Sequence, residues 1–337
     1  MLNLVTDLRS RLGLYRSLAA AASGRPEKQS VAAFAVQDFA VRLLVRLAGR
    51  RPFSRELSVD LRGARHFLAL CQDEESVLEQ LYVTREYEQV PEFVPQRGWT
   101  VVDLGANTGM FAVQQARRGA HVHAVEPNPD CYRRLRRAVE ANGVRERVSC
   151  YPLAVGGAAG RAELVVDGAS VAGSLYPGHV KSSRPSRRFP VSVLTLDDLW
   201  ASMGPVAIDL LKIDVEAAEL DVLRAGRKAV AAADRIIVEC HSPSLATAVR
   251  ALLEGAGFSL RRTVDTYPEG GYSTLYFSMP QSRVAGRSQL APSPAPPRPR
   301  GSREARFAGW EGGGTATPPP AAQPPPTPGR QAPGDGS

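Results

Sequence analysis

The stretch that most constrains the fold is residues 101–109, where a short apolar run around an acid leads into a turn of small residues. Valine and leucine on either side of Asp103 predict a strand, and the pattern that starts at Met110 predicts a helix. Gly105 and Gly109 carry no Cβ, so a ligand can approach the backbone of the turn closely. A strand, a glycine turn and a helix in this order are typical of a nucleoside-binding α/β domain.

A second strand and an acid follow at the spacing that such a domain requires. Residues 121–125 alternate like a strand, and Glu126 ends it about 20 residues after the turn, where an acid commonly binds a ribose diol. The dinucleotide fingerprint is absent, because Asn107 and Met110 occupy the places of its second and third glycines. We therefore predict a nucleoside with a cationic amino group, such as S-adenosylmethionine (SAM), with Asp103 as the partner of that group.

Three motifs carry a resemblance: the glycine turn, the acid after the second strand, and an acid-rich stretch at the end of the fourth strand. They lie at residues 103–109, 126–129 and 211–219. Together they resemble the motifs of the FkbM family of SAM-dependent O-methyltransferases, and the resemblance extends over about residues 60–280. One position departs from it, because Ala217 stands where the family usually carries glycine.

The resemblance implies a fold and a set of cofactor residues. The implied fold is the Rossmann-like class I methyltransferase fold, an α/β structure with a seven-stranded, mostly parallel sheet, helices on both faces and an antiparallel edge strand. SAM is the implied methyl donor. An acid–tyrosine pair lies near the ligand in the family, and residues just beyond the third strand flank the adenine ring. The cofactor residues expected on these grounds are Glu86, Asp103, Gly105, Asn107, Gly109, Glu126 and Ala154.

A hydroxyl acceptor loses its proton as it attacks the methyl group, so we expect a general base. The candidates are Asp214, Glu216 and His241, each at or just past the carboxyl end of a predicted strand. His241 has the ordinary pKa nearest neutrality, whereas the resemblance favours the two acids, and the assignment stays open. Lys212 shares a strand face with Asp214, which predicts a lysine–carboxylate pair. A divalent metal held by Asp214 and neighbouring acids would lower the pKa of the hydroxyl, but nothing in the spacing requires one.

Composition divides the chain into three parts. We predict a helical extension at residues 1–55, a methyltransferase domain at 56–280, and a disordered tail at 281–337, which holds 13 of the 27 prolines. The net charge of +8 resides in the two ends, because residues 65–280 carry 24 basic and 26 acidic side chains. A near-neutral domain argues against nucleic acid as the substrate.

The expected acceptor is a hydroxyl of a sugar, a glycan or another small natural product. The four cysteines form no C-x-x-C pair, which predicts neither a zinc site nor a disulfide framework. Without a secretory signal or an apolar run long enough to span a bilayer, we expect a cytoplasmic protein. The basic N-terminal helices are expected to pack on the domain or in a dimer contact, with peripheral membrane contact as the alternative. An NAD(P)-binding oxidoreductase and a non-catalytic adaptor with a Rossmann-like domain are the competing functional hypotheses.

Overall fold

A seven-stranded sheet forms the centre of the computed structural model, which describes residues 2–48, 56–69, 75–166, 173–176, 186–267 and 271–280. In sheet order, and with labels that follow the chain, its strands are β12 (Ser259–Tyr267), β13 (Tyr272–Ser278), β11 (Arg235–Cys240), β10 (Leu210–Ile213), β3 (Thr100–Leu104), β4 (His121–Val125) and β5 (Val148–Tyr151). β13 is antiparallel to both of its neighbours, and the remaining adjacent pairs are parallel. The predicted Rossmann-like sheet with an antiparallel hairpin at one edge is confirmed.

Helices pack around this sheet. Those in the described residues are α1 (Leu2–Ala21), α2 (Arg25–Ala48), α3 (Glu75–Leu78), α4 (Met110–Arg117), α5 (Pro129–Ala141), α6 (Leu196–Ser202), α7 (Glu219–Arg224), α8 (Arg227–Ala231) and α9 (Pro243–Gly255). The side chains of Asn128, Thr195 and Ser242 accept hydrogen bonds from backbone N–H groups in the first turns of α5, α6 and α9. Polar residues before these helices therefore fix where the helices begin.

A second sheet of four strands lies beside the first. In sheet order its strands are β6 (Ala154–Val155), β9 (Arg187–Leu194), β7 (Gly160–Val166) and β8 (Gly173–Ser174). β7 is antiparallel to both of its neighbours, and buried side chains of β6, β7 and β9 form a small apolar core of their own. This sheet builds one wall of the crevice described below.

The two N-terminal helices share the main hydrophobic core. A hairpin of β1 (Glu56–Leu61) and β2 (Ala64–Ala69) follows them, and Leu18, Phe34 and Leu61 are buried in the same core as the sheet. Asp38 of α2 is fully buried, accepts a hydrogen bond from the Tyr15 hydroxyl and pairs with an arginine of its own helix. The predicted extension at 1–55 is thus packed on the domain over its described part. No helix in the described residues is long and apolar enough to cross a membrane. The predicted tail at 281–337 lies outside the described residues.

The segment that precedes the first parallel strand differs from its sequence pattern. The pattern of residues 73–87 predicts one helix, but α3 gives way to a π-helical turn at Glu79–Val83 and to a 3₁₀ turn at Glu86–Glu88. Arg85 has a φ of 52°. An L-residue in this left-handed conformation cannot continue a right-handed helix. The break turns Glu86 and the following tyrosine into the interior, where both are buried.

Candidate active site

A crevice opens at the carboxyl ends of the parallel strands, the place where open α/β sheets bind ligands. The main sheet supplies one side and the four-stranded sheet the other. Its lining residues are Leu104, Gly105, Asn107, Val125, Glu126, Pro127, Leu153, Ala154, Val155, Leu164, Gly173, Leu175, Asp214, Val215 and Glu216. Four of the expected cofactor residues and two of the expected catalytic residues therefore meet here. Glu86, Asp103, Gly109 and His241 are not among the lining residues.

The glycine turn is bonded internally to the second strand. All five of its backbone N–H groups, at residues 105–109, have acceptors within the fold. These acceptors are Val125 O for Gly105 and Ala106, Glu126 Oε2 for Asn107, Asn107 Oδ1 for Thr108, and Ala106 O for Gly109. A dinucleotide pyrophosphate is normally bound by free N–H groups at this turn. The N–H groups of the turn itself are therefore not free to bind such an anion.

The two glycines of the turn serve different contacts. Gly105 has a φ of +78°, and a Cβ added there would lie 1.8 Å from the carbonyl oxygen of Asp214. Gly109 has a φ of +82°, and a Cβ added there would lie 2.4 Å from Leu135 Cδ1. Gly105 thus lets the turn approach the end of β10 at the crevice. Gly109, expected to bind the cofactor, instead permits close packing of the turn on α5.

Glu126 lies at the edge of the crevice and is 6% exposed. Its two carboxylate oxygens accept hydrogen bonds from the backbone N–H groups of Asn107, at 2.8 Å, and Asn128, at 2.7 Å. Burial raises the pKa of Glu126 to about 7, although the two N–H groups act in the opposite direction. Glu126 is one of the residues that line the crevice.

Asp103 is part of a buried ion pair. Lys212 lies opposite Asp103 in the parallel register of β10 and β3, with its Nζ 3.1 Å from Asp103 Oδ1. The same Nζ is 3.4 Å from Asp214 Oδ2 and donates a hydrogen bond to the carbonyl of Gly105. Burial opposes the charge of Lys212, but the carboxylates of Asp103 and Asp214 outweigh it and raise the pKa of the lysine. The predicted lysine–carboxylate pair is present, and the lysine occupies the place expected for the amino group of the cofactor.

A second buried group of acids adjoins this pair. The Tyr87 hydroxyl oxygen is 2.7 Å from Glu239 Oε2 and 3.3 Å from Asp214 Oδ2. Burial, together with the charges of Asp214 and Glu86, raises the pKa of Glu239 well above its usual value. Glu86 accepts hydrogen bonds from the hydroxyl of Thr274 and that of the threonine beside it on β12. Glu86 therefore supports the hairpin β12–β13 and has no place on the crevice surface, contrary to the expectation of a cofactor contact.

The three predicted catalytic residues converge. His241 Nε2 lies 3.4 Å from Glu216 Oε2 and 3.8 Å from Asp214 Oδ1. The side chain of His241 is 4% exposed, whereas those of Asp214 and Glu216 are 23% and 27% exposed. Burial opposes the charged imidazole of His241. The hydrogen bond and charge of Glu219, together with the two other carboxylates, outweigh this and raise the pKa of the histidine to about 10.

Glu219, the last residue of the acid-rich motif at 211–219, organises this cluster, although the sequence did not place it among the candidate catalytic residues. It is fully buried, and its Oε1 lies 2.9 Å from His241 Nδ1. The same oxygen accepts hydrogen bonds from the backbone N–H groups of Val215 and Ala217, at 3.2 and 3.1 Å. Glu219 is the first residue of α7, and its side chain reaches back to the backbone of the turn that precedes the helix.

Comparison with known proteins decides the family. Residues 103–260 match the family model described as the methyltransferase FkbM domain. The 31-O-demethyl-FK506 methyltransferase FkbM of Streptomyces tacrolimicus is 33% identical, over 48% of this chain and 74% of that protein. The chain belongs to the FkbM methyltransferase family. The methyltransferase sdnD of Sordaria araneosa is 29% identical, over 48% of this chain and 74% of that protein.

Membership of the FkbM family makes the protein a methyltransferase and contradicts the oxidoreductase alternative. The same family membership argues against a non-catalytic adaptor. Among solved structures, Aeropyrum pernix fibrillarin with bound S-adenosyl-L-methionine is 12% identical, with a TM-score of 0.38 over 68% of this chain and 84% of that chain. A likeness of that size does not bear on function.

The one departure from the FkbM pattern has a structural consequence. Glu216 and Ala217 have φ angles of +52° and +80°, in the left-handed region that favours glycine. Glu219 accepts hydrogen bonds from the N–H groups on both sides of Glu216, and the hydroxyl of Ser174 donates one to the Glu216 carbonyl at 2.6 Å. The surrounding structure therefore holds an alanine where the family usually relies on glycine.

Proposed function

We propose that this FkbM-family protein transfers a methyl group from SAM to a hydroxyl of a sugar, a glycan or another small natural product. One observation carries the proposal. The crevice has Glu126 at one side and the carboxylates of Asp214 and Glu216 at the other. A nucleoside bound beside Glu126 would bring its sulfonium methyl group close to Asp214 and Glu216, which can accept a proton.

The walls of the crevice fit the parts of SAM. Adenine is flat and largely apolar, and Leu153, Ala154, Val155 and Leu164 supply apolar surface. Glu126 supplies the carboxylate that a ribose diol requires. SAM carries positive charge, which suits a crevice bordered by Asp214 and Glu216, whereas a dinucleotide would bring a pyrophosphate anion to the same place.

The protonation of the cluster narrows the choice of general base. SAM, when bound, would supply a sulfonium-bound methyl group. The acceptor oxygen would bond to the methyl carbon as the carbon–sulfur bond breaks, with S-adenosylhomocysteine as the leaving group, and the hydroxyl proton would pass to a base. His241, with its pKa raised to about 10, already holds a proton at neutral pH and cannot accept another. Asp214 and Glu216 are more exposed and border the crevice, so we assign the proton-accepting role to one of them. His241 then acts as a positioning residue for both acids.

The choice of oxygen as the accepting atom rests on the relatives. The name of the Streptomyces tacrolimicus protein specifies methyl transfer at an oxygen position. The site is consistent with that choice, because a neutral hydroxyl needs a nearby base, and carboxylates are at hand. A small acceptor also suits a crevice that a near-neutral domain surrounds.

The direct test is methyl transfer from isotopically labelled SAM to a panel of sugars, glycans and polyhydroxylated natural products. We expect a product with one added methyl group, and carbon NMR of the labelled methyl identifies the atom that carries it. Asp214→Asn and Glu216→Gln should reduce transfer while SAM binding persists, and the exposed carboxylate exchange Glu254→Gln should leave transfer unchanged. Transfer to nitrogen or carbon, or transfer unaffected by both site variants, would overturn the proposal.

A further inference from the structure

The three convergent side chains also carry the donor atoms of a metal site. The part that a bound ion would play in methyl transfer rests on the proposed function, but the site itself does not. We propose that Asp214, Glu216 and His241 form a binding site for a divalent transition-metal ion, held in place by Glu219. Each of the three residues offers one ligand atom, and these atoms lie within 4.8 Å of one another. Two carboxylate oxygens and one imidazole nitrogen are a donor set that suits such ions.

The spacing of the donors is close to that of a bound site. Ligands about 2.1 Å from an ion lie about 3 Å apart when adjacent and about 4 Å apart when opposite. The distances from His241 Nε2 to Glu216 Oε2 and Asp214 Oδ1 are 3.4 and 3.8 Å. Asp214 and Glu216 are partly exposed, so small side-chain rotations bring all donors to one ion. The same exposure gives the ion a path from solvent.

Glu219 fixes the orientation of the His241 ring through a hydrogen bond to Nδ1, the ring nitrogen that faces away from Asp214 and Glu216. A carboxylate accepts hydrogen bonds, so the contact between His241 Nδ1 and Glu219 Oε1, at 2.9 Å, places a proton on Nδ1. A bound ion would displace the second proton of the ring and so bind the lone pair of Nε2, the atom that faces Asp214 and Glu216. Histidine ligands of metals commonly donate their other N–H to a carboxylate in this way.

The charge around the imidazole is also unbalanced. Three carboxylates converge on one ring, and Lys212, whose Nζ lies 3.4 Å from Asp214, is also paired with Asp103. The lysine and a protonated imidazole therefore leave an excess of negative charge at the cluster. Within the described residues, Glu219 Oε2 is buried without a hydrogen-bond partner, which adds an uncompensated polar atom behind the ring. A divalent ion would offset this charge more fully than a proton does.

Three protein donors leave coordination positions for water or for an acceptor oxygen. An ion in this position would lower the pKa of a coordinated hydroxyl and hold it beside the crevice. Imidazole favours transition ions over Mg²⁺, so Mn²⁺, which also accepts carboxylate oxygens, is the appropriate probe.

The test titrates Mn²⁺ into the chelator-treated full chain and measures free Mn²⁺ by electron paramagnetic resonance. We expect one saturable site in the unaltered protein. Asp214→Asn and His241→Asn should weaken Mn²⁺ binding at least tenfold. Glu219→Gln, which keeps the size of the side chain, should weaken it ten- to a hundredfold. Glu254→Gln is the matched control and should bind like the unaltered protein. Mg²⁺ should compete only at much higher concentration.

Calorimetric titration with SAM accompanies each variant and separates this proposal from the proposed function. Retained SAM binding shows that a variant is folded, so its loss of Mn²⁺ binding reports on the site itself. Absence of a saturable Mn²⁺ site, or a site that all three variants leave intact, would overturn the metal proposal and identify the cluster as an ion-pair network. Failure of the unaltered protein to bind SAM would count against the proposed function alone.

Discussion

Lys212 and Asp103 face each other across the two central strands of the sheet, with Lys212 Nζ 3.1 Å from Asp103 Oδ1 and neither side chain more than 3% exposed. The lysine also contacts Asp214, at the mouth of the crevice. The acid before the glycine turn is therefore linked to the proposed catalytic cluster through one lysine. Substitution of either Lys212 or Asp103 should therefore also disturb Asp214 at the mouth of the crevice.

Asp103→Asn should lower the free energy of unfolding by about 3–5 kcal/mol, because it leaves the ammonium of Lys212 buried with a weaker partner. Lys212→Met should lower the free energy of unfolding by a similar amount, because it leaves the carboxylate of Asp103 buried without the ammonium group. The double variant should recover much of the loss, since it buries no unmatched charge from this pair. Urea denaturation measures all three proteins. Strictly additive losses in the double variant would show that the two residues are not energetically coupled.

Gly105→Ala should lower the free energy of unfolding by about 3 kcal/mol or more, or prevent folding. The new Cβ would clash with the carbonyl oxygen of Asp214, which is part of the main chain and cannot rotate away as a side chain can. Gly143→Ala is the matched control. Gly143 also has a positive φ, of +64°, but a Cβ added there finds nothing within 4 Å. The control should lose only about 1 kcal/mol from backbone strain. Equal losses in thermal or urea unfolding would mean that backbone conformation, and not the close approach, requires glycine at 105.

Ala217→Gly should stabilise the protein by about 1 kcal/mol. Removing the strain of an alanine in the left-handed conformation stabilises the folded state by about 1–2 kcal/mol. The greater conformational freedom of glycine in the unfolded chain offsets part of this gain. The melting temperature should rise by about 2–4 °C. Ala225→Gly, at a residue with a φ of −85°, should instead lower stability by about 0.5–1 kcal/mol. A loss of stability in Ala217→Gly would contradict the strain inferred from the φ of Ala217.

Affinity for SAM should depend on pH through Glu126. A ribose diol donates hydrogen bonds to the carboxylate, and burial places the pKa of Glu126 at about 7, so the binding form predominates only above that pH. Calorimetric titration should show affinity about tenfold weaker at pH 6 than at pH 8. Glu126→Gln should bind more weakly and lose most of this dependence. A profile that is unchanged in the variant would assign the pH dependence to another group.

The parts of the fold that local patterns determine were predictable from the sequence. The strand, turn and helix around Asp103 and the acid at Glu126 were placed correctly, because apolar periodicity and glycine spacing act over a few residues. The convergence of Asp214, Glu216 and His241 was also foreseeable. The carboxyl ends of adjacent parallel strands meet at one edge of a sheet.

Features that depend on pairing between strands far apart in the sequence were not predictable. The pattern of residues 148–155 predicts one strand, but Pro152 lacks the N–H that a ladder requires, and β6 pairs with the distant β9 instead. The pattern of residues 168–190 predicts a loop, whereas part of it joins the four-stranded sheet. The role of Glu219 and the burial of Asp103 against Lys212 follow from which strands become neighbours. No local pattern carries that information.

The most direct test of the central claim is calorimetric titration of the full chain with SAM and, separately, with NAD⁺. The full chain is required because the N-terminal helices share its main core. We predict saturable binding of SAM, a marked weakening in Glu126→Ala, and no binding of NAD⁺. A folded protein that binds NAD⁺, or that binds neither compound, would contradict the assignment of this crevice to SAM.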